Sequence, residues 1–380
     1  MTTLLLHDDA LSSPEVRHEI GEPLGDPLVF IEHEGTRVVV GPPQDEALLS
    51  RREDVVDEFW SVLTLGGEDL LRDRSLPIEK IWPELAFRAL ARLGARHVVV
   101  PPSFAVGTAD YLRERGITVE IDASVWRQRR RQKTPAELEG IERAQRACEA
   151  AFGTAARMLG DAEKTANGSL RFEGEILTAE WIRQAMETEL IMAGADCDAI
   201  LVQSGDACLS GHDVGVGPIA PDKSCIIDCY PRDRRTGAYT DMTRTFVPGR
   251  ISDELAAIHG HCRVALDIAL ESIKPGRSDA HERVSAYFEA QGYPTDLSRD
   301  PGETVTQGFT HALGHGVGLE IHEPPAMGKR AEELVAGDVV AIEPGLYFPG
   351  VGGVRLEDTV VVTDEGAEHF TDPFPYDLVP

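Results

Sequence analysis

Residues 310–323, THALGHGVGLEIHE, contain three histidines spaced four and seven positions apart in a glycine-rich segment. Two carboxylate pairs flank this segment: Asp228 and Asp241 precede it, and Glu343 and Glu357 follow it. Carboxylate oxygens and imidazole nitrogens are the ligands that hard or borderline divalent cations prefer. We therefore predict a metal centre assembled from distant parts of the chain, with the hydrolytic chemistry of a two-metal site.

The first pair, Asp228 and Asp241, stands among apolar and β-branched residues on either side of a turn at residues 231–237. This pattern predicts two facing strands of one hairpin. A carboxylate buried in a strand is costly unless a cation meets it. The pair therefore requires a metal ion or an arginine, and Arg244 is the candidate for a purely structural salt bridge with one of them.

The second pair, Glu343 and Glu357, lies in a similar strand-turn-strand setting with a turn rich in Pro and Gly. Four acidic side chains from two hairpins would form an oxygen-rich cage, which His315 would complete. Gly314 and Gly316 flank this histidine, so we expect its backbone to approach a metal closely. The repeated setting also indicates two related halves.

Helix and strand patterns divide the chain. Residues 1–125 alternate between the two, which predicts a small α/β domain. The predicted strands there are 28–32, 37–40, 97–100 and 117–121, and the predicted helices are 85–93 and 108–115. Residues 126–140 are a connector that leads into a long helix, and residues 141–380 form a second, larger domain.

Capping residues mark the helices of the second domain. Thr134 and Glu137 have the spacing of a capping box, so a long helix should begin there. Further helices are predicted over residues 178–193 and from Ser252 to about residue 273. The basic run at residues 127–131 is more typical of a salt-bridged segment than of a nucleic-acid patch on so acidic a chain.

The composition argues against two classes of binding partner. The chain has 380 residues, is 42% hydrophobic and carries a net charge of −28, so its mean field repels nucleic acid and anionic membranes. The N-terminus does not resemble a secretory signal, and no apolar run is long enough to cross a bilayer. The six cysteines are expected to be buried thiols in a reducing compartment, which indicates the cytoplasm.

These motifs together resemble the pita-bread metallopeptidases, the family of methionine aminopeptidase, aminopeptidase P, prolidase and creatinase. The resemblance covers roughly residues 134–363 and rests on the order Asp, Asp, His, Glu, Glu. The first third is similar to the extra domain of the creatinase, prolidase and aminopeptidase P branch. The implied fold class is α+β: a C-terminal pita-bread domain with pseudo-twofold halves, preceded by a smaller α/β domain.

The resemblance also implies the metal ligands. Asp228 would bind one ion, His315 and Glu343 the other, and Asp241 and Glu357 would bridge the two. The cofactors would be two divalent ions, with manganese the first expectation and cobalt, zinc or iron the alternatives. Such a pair activates water and polarises a peptide carbonyl, and Glu343 would carry the proton to the leaving nitrogen.

Five further side chains take roles from the resemblance. His212 would contact the substrate or leaving group, His322 would stabilise the tetrahedral intermediate, and His311 matches a further active-site histidine. Arg355 should point to the same face as Glu357, because strand side chains repeat every second residue. Thr243 would hydrogen-bond a bridging carboxylate.

The implied function is hydrolysis of the peptide bond between an N-terminal residue and proline, as in aminopeptidase P or prolidase, by a homodimer. One alternative is a creatinase-like or lyase-type enzyme that acts on a small nonpeptide substrate, and another is a noncatalytic peptide-binding relative. One departure from the family pattern bears on this choice. Asp228 and Asp241 are thirteen positions apart instead of eleven, so the longer tip at residues 232–235 is expected to modify the rim of the cleft.

Overall fold

The structure is a computed structural model that describes residues 2–52, 54–299, 302 and 305–380. The chain forms two compact units, Met1–Arg130 and Arg131–Pro380. Among the described residues, no helix is both long and apolar enough to span a membrane.

The first unit is built on one six-stranded mixed sheet with the order β4-β3-β2-β1-β5-β6. Its strands are β1 (Thr3–Asp8), β2 (Leu28–His33), β3 (Thr36–Gly41), β4 (Glu58–Ser61), β5 (His97–Val100) and β6 (Thr118–Ile121). Its helices are α1 (Pro14–Ile20), α2 (Glu46–Leu49), α3 (Gly67–Arg72), α4 (Ile81–Leu93) and α5 (Val106–Glu114), and α6 (Ala123–Arg131) follows. Apolar residues are buried on both faces of the sheet, in two separate clusters. The predicted hairpin, helices and strands of this region are confirmed within a few residues.

The basic run of the connector is salt-bridged, as predicted, and it is also helical, which was not predicted. On α6, the Arg129 guanidinium bonds the carboxylates of Glu19 and Glu32. Arg131 bonds Asp338, at 2.6 Å between Nη2 and Oδ2. These arginines are therefore paired with carboxylates of the protein itself.

The second unit begins with α7 (Pro135–Gly160), whose N-cap is Thr134. The Thr134 N–H donates to Glu137 Oε2 at 2.7 Å, and the Glu137 N–H donates to Thr134 Oγ1 at 3.2 Å, so the predicted capping box is present. The elements that follow form the first half of the unit. They are β7 (Glu163–Lys164), β8 (Leu170–Phe172), β9 (Glu175–Ile176), α8 (Ala179–Met192), β10 (Ala195–Asp196), β11 (Ile200–Ser204), β12 (Cys225–Cys229), β13 (Arg232–Asp233) and β14 (Met242–Phe246).

The second half repeats a pair of helices followed by an antiparallel sheet. Its helices are α9 (Asp253–Ser272), capped by Ser252 as predicted, and α10 (Ala280–Ala290). Its strands are β15 (Gly314–Gly316), β16 (Glu323–Met327), β17 (Val339–Ile342), β18 (Gly345–Phe348), β19 (Gly352–Arg355), β20 (Asp358–Thr363) and β21 (Gly366–His369).

Each half has its own hydrophobic core. Helices α7 and α8 pack on the sheet β11-β12-β14, whereas α9 and α10 pack on the sheet β16-β15-β17-β20-β21. A β-bridge between Thr243 and Glu357 joins the two sheets. The site described below is built around this junction.

The six cysteines are all free thiols. Five are buried as predicted, whereas Cys197 is partly exposed. They fill the cores of the two halves, as expected from their spacing.

Candidate active site

A cavity of about 510 Å³ opens at the junction of the two sheets in the second unit. The nine side chains that the sequence nominated as ligands or catalytic groups all line it: His212, Asp228, Asp241, His311, His315, His322, Glu343, Arg355 and Glu357. Apolar and aromatic residues complete its wall, including Leu201, Leu209, Tyr230, Ile321 and Tyr347. One cavity thus collects side chains separated by more than a hundred positions.

The first carboxylate pair is set by the β12–β14 ladder. Asp228 on β12 is directly opposite Thr243 on β14, and Asp241 lies two residues before Thr243. Cross-strand partners share a face, and so do residues two positions apart, so both carboxylates face the cavity. The predicted hairpin with preserved parity is confirmed.

The second pair is set by the β17–β20 ladder. Ile342, the last residue of β17, is opposite Asp358, the first residue of β20. Glu343 directly follows β17 and Glu357 directly precedes β20, so the two glutamates lie beside each other. The Thr243 hydroxyl donates to Glu357 Oε2 at 2.6 Å, which confirms the predicted hydrogen bond and ties the two pairs together. Glu357 is only 2% exposed.

His315 lies at the centre of β15, between β16 and β17. Its Nδ1 is 3.1 Å from the Gly316 carbonyl oxygen, which can only accept, so Nδ1 carries the proton. The unprotonated Nε2 then lies 3.6 Å from Asp241 Oδ2. A backbone carbonyl that fixes the tautomer in this way is typical of a metal-binding histidine.

The glycine before His315 also has a role in strand packing. A Cβ on Gly314 would lie 1.9 Å from the Ala341 carbonyl oxygen of the neighbouring strand. The missing side chain therefore allows two strand backbones to approach each other, and the expected approach of the backbone to a metal stays a prediction.

Burial and mutual repulsion shape the titration of the carboxyl groups. Burial, and then the charges of Glu357, Asp228 and Glu343, raise the pKa of Asp241 well above its ordinary value. Burial and neighbouring carboxylates act on Glu357 in the same direction, and burial raises the pKa of Glu343 to about 7. These buried carboxyl groups lie close together, and they require more positive charge nearby than Arg355 supplies.

Three observations show that this donor set fits metal ions. Asp228 Oδ1 and Asp241 Oδ1 are buried and have no hydrogen-bond partner within the described chain. Ligand atoms of Asp241, His315 and Glu357 lie within 4.8 Å of one another. Burial lowers the pKa of His315 to about 4, which keeps its imidazole neutral and able to coordinate. The residues present therefore suit divalent cations.

Arg355 is the arginine of the site, as strand parity predicted. Its Nη2 donates to Asp228 Oδ2 at 2.6 Å, and its Nη1 donates to the Tyr347 hydroxyl oxygen at 3.2 Å. The proposed alternative partner, Arg244, is wrong: it faces the other side of β14 and pairs with Asp358 at 2.8 Å. Parity explains this, because Arg244 is an odd number of positions from Asp241.

The three other histidines surround the ligands. The ring centroids of His322 and His315 are 4.3 Å apart in an edge-on arrangement. His311 Nε2 lies 3.0 Å from the Tyr347 hydroxyl, and burial lowers the pKa of His311 to about 4. His212 lines the cavity from an exposed turn.

Tyr347 was not nominated from the sequence, although it contacts both His311 and Arg355. A signal for it existed in the hairpin β18–β19. Gly345 is opposite Arg355 in that hairpin, so Tyr347 shares the face of Arg355. Pairing the two strands before choosing site residues would have identified it.

The longer tip between Asp228 and Asp241 is held by ion pairs. Arg232 bonds Asp196 at 2.6 Å, and Arg143 bonds Asp233 at 2.9 Å. The described cavity lining includes Tyr230 but none of residues 232–235. The expectation that this tip modifies the rim of the cleft stays a prediction.

Comparison with known proteins places the chain in a family. Residues 139–364 match the model of metallopeptidase family M24. The Xaa-Pro dipeptidase of Pyrococcus furiosus is 38% identical over 133 residues, which are 35% of each chain. The aligned part is thus about a third of the length of the curated relatives that the chain matches.

Solved structures share the fold over almost the whole chain. The Xaa-Pro dipeptidase from Bacillus anthracis has a TM-score of 0.76 at 23% identity and covers 99% of this chain and 94% of its own. The X-Pro aminopeptidase from Thermotoga maritima has a TM-score of 0.76 at 20% identity and covers 99% and 97%. The fold predicted from the resemblance is confirmed. Because the family match extends over more than half of the sequence, the protein belongs to metallopeptidase family M24.

Proposed function

We propose that this protein is a dinuclear metal-dependent peptidase that hydrolyses the bond between an N-terminal residue and proline. The observation that carries this proposal is the cavity in which five potential ligands and three further histidines converge. The names of the relatives, Xaa-Pro dipeptidase and X-Pro aminopeptidase, support the substrate class.

In this proposal Asp228, Asp241, His315, Glu343 and Glu357 hold two divalent cations, and manganese is the first to test. When bound, such a pair supplies activated water and polarises the scissile carbonyl. The unpartnered oxygens of Asp228 and Asp241 support this assignment, because no other described group satisfies them.

The remaining site residues act on the substrate and on protons. Glu343, which directly follows β17, is proposed to accept a proton and pass it to the proline nitrogen that leaves. His212 and His322 are proposed to bind the peptide and its developing charge, with His311 held behind them by Tyr347. Arg355 holds Asp228 in place through its 2.6 Å bond.

We also propose a cellular location and an oligomeric state for the enzyme. Six free cysteines support a reducing compartment, so we propose a cytoplasmic location. A homodimer is proposed by analogy with the fold family alone.

The test is hydrolysis of Ala-Pro, of an Ala-Pro-extended peptide and of Ala-Ala, after chelation and again after Mn²⁺ is restored. We expect cleavage of at least one Ala-Pro substrate, dependence on the metal, and little cleavage of Ala-Ala. Preference for the dipeptide would identify a prolidase, and preference for the longer peptide an aminopeptidase P. Metal-independent cleavage, or equal cleavage of Ala-Ala, would contradict the proposal.

A further inference from the structure

The segment that carries His212 is a long turn, residues 205–217, between strands β11 and β12. His212 is exposed, and its ring makes no hydrogen bond within the part of the chain that the structure describes. Leu209, Gly211 and Val214 of the same turn also line the cavity. The position of this wall therefore depends on what holds the backbone of the turn.

Gln203 on β11 holds that backbone on both sides of His212. Its side chain is 0% exposed. Its Nε2 donates to the carbonyl oxygens of Ser210 and Asp213, the latter at 2.7 Å. One amide group is therefore hydrogen-bonded to the backbone on both sides of His212.

The orientation of the Gln203 amide follows from these bonds. Both carbonyl oxygens can only accept, so the NH₂ group must face them and Oε1 must face away. Oε1 is buried and has no partner among the described residues. An unsatisfied buried oxygen is costly, so this amide is poorly suited to a role in stability alone.

A second side chain holds the outgoing end of the turn. Arg183 on α8 donates to the Val214 carbonyl at 2.6 Å and to the Gly215 carbonyl at 3.0 Å. Gly215 has a φ of +75°, and a Cβ there would lie 1.8 Å from the Val202 carbonyl oxygen. With the end fixed against the sheet, Gln203 sets the shape of the turn between its anchors.

We propose that Gln203 is a positioning residue that fixes His212 against the substrate side of the cavity. The inference rests on the proposed function for its kinetic consequence, because His212 is there assigned to the substrate. Loss of the two donors frees the turn and displaces His212 while the metal ligands stay in place.

The test uses the full-length protein and the substitution Gln203→Met, which keeps the size of the side chain and removes both donors. Gln203→Asn is the second variant, because it keeps the amide but shortens its reach. Gln184→Met, at an exposed position on α8, is the matched control. Amide hydrogen exchange over residues 205–217 is measured for each variant, together with the metal content.

We expect exchange in the turn to rise by about tenfold or more in both Gln203 variants, and not in the control. Bound metal should be unchanged. Unchanged exchange in a folded Gln203 variant would overturn the inference, whether or not the protein proves to be an Xaa-Pro peptidase. General loss of metal would overturn it as well, because the effect would then not be confined to the turn.

Kinetics decide whether Gln203 acts through His212. In the wild-type background, kcat/KM on the preferred Xaa-Pro substrate should fall by roughly 10- to 100-fold. In the His212→Ala background, the same Gln203→Met substitution should change it by less than about twofold, because the group that it positions is gone. An equal loss in both backgrounds would contradict the proposed link. Absence of Xaa-Pro activity in the wild type would refute the proposed function and leave the exchange result to decide the positioning role.

Discussion

Glu357 is the carboxylate on which the candidate site depends most. It lies at the junction of the two sheets, accepts a hydrogen bond from Thr243, and falls within ligand distance of Asp241 and His315. Burial and its acidic neighbours raise the pKa of Glu357 well above its ordinary value, so cations nearby would favour its ionised form.

We therefore expect Glu357→Ala to lose bound metal and to lower turnover on the order of 100-fold or more. Metal content by mass spectrometry and peptidase activity are measured together. Glu368→Ala, on strand β21 outside the cavity, is the control and should behave as the wild type. Wild-type metal content and activity in Glu357→Ala would contradict the assignment of Glu357 as a metal ligand.

His322 should behave differently, because it is placed beside the ligand His315 instead of among the carboxylates. We expect His322→Ala to lower kcat by roughly 100- to 1,000-fold while both metal ions stay bound. The same two measurements check this outcome. Loss of metal in this variant would show that His322 is a ligand.

His7 in the first unit gives a pH-dependent prediction that does not involve the site. Burial lowers its pKa from 6.5 to about 4, and its ring packs against Trp82 and lies 3.0 Å from Thr108 Oγ1. The folded form therefore binds fewer protons than the unfolded form between these two values. Stability is lost as the pH falls from 6.5 towards 4, by about 3 kcal/mol from this group.

His7→Gln should reduce this loss, because glutamine does not titrate. The free energy of unfolding in urea at pH 7.5 and pH 4.5 is followed by tryptophan fluorescence, since three of the four tryptophans lie in the first unit. His97→Gln, at an exposed position, should keep the wild-type pH dependence. An identical pH dependence in His7→Gln and the wild type would refute the role of His7.

Strand β15 shows how backbone packing positions a candidate ligand. It lies between β16 and β17, and Gly314 has no room for a side chain because the Ala341 carbonyl oxygen occupies that space. His315 is thus carried by a strand held on both sides.

We expect Gly314→Ala to lower the melting temperature strongly, with a loss of stability of about 2 kcal/mol or more, and to weaken metal binding. The control is Gly260→Ala in helix α9, where a Cβ meets nothing within 4 Å. That substitution should be neutral or stabilise the protein by up to about 1 kcal/mol. A Gly314→Ala protein as stable as Gly260→Ala would contradict the account of β15.

The sequence could predict those elements whose signals are local. The capping box of α7, the Ser252 cap of α9 and the parity of the Asp228–Asp241 hairpin all depend on residues close together in the chain. The partner of Asp228 needed parity across two strands, and the choice of Arg244 ignored it. Tyr347 was missed because its strand was not paired with the strand of Arg355, and Gln203 was missed because no spacing rule connects it to the turn that it bonds.

The site exists because the two similar halves of the second unit meet. Each half supplies a carboxylate pair, and the bond between Thr243 and Glu357 spans 114 positions of the chain. The order of the ligand types could be found in the sequence and led to the family. Their convergence on one cavity could not, because it depends on how two separate cores pack around their own sheets.

The proposed function requires that five side chains of the second unit hold two adjacent divalent cations. The most direct measurement is a crystal structure of the protein soaked in Mn²⁺, with anomalous diffraction recorded at the manganese edge. We expect two anomalous peaks in the cavity, both within bonding distance of Asp241 and Glu357, with Asp228 on one and His315 and Glu343 on the other. No peak in that cavity, or manganese bound only elsewhere, would contradict it.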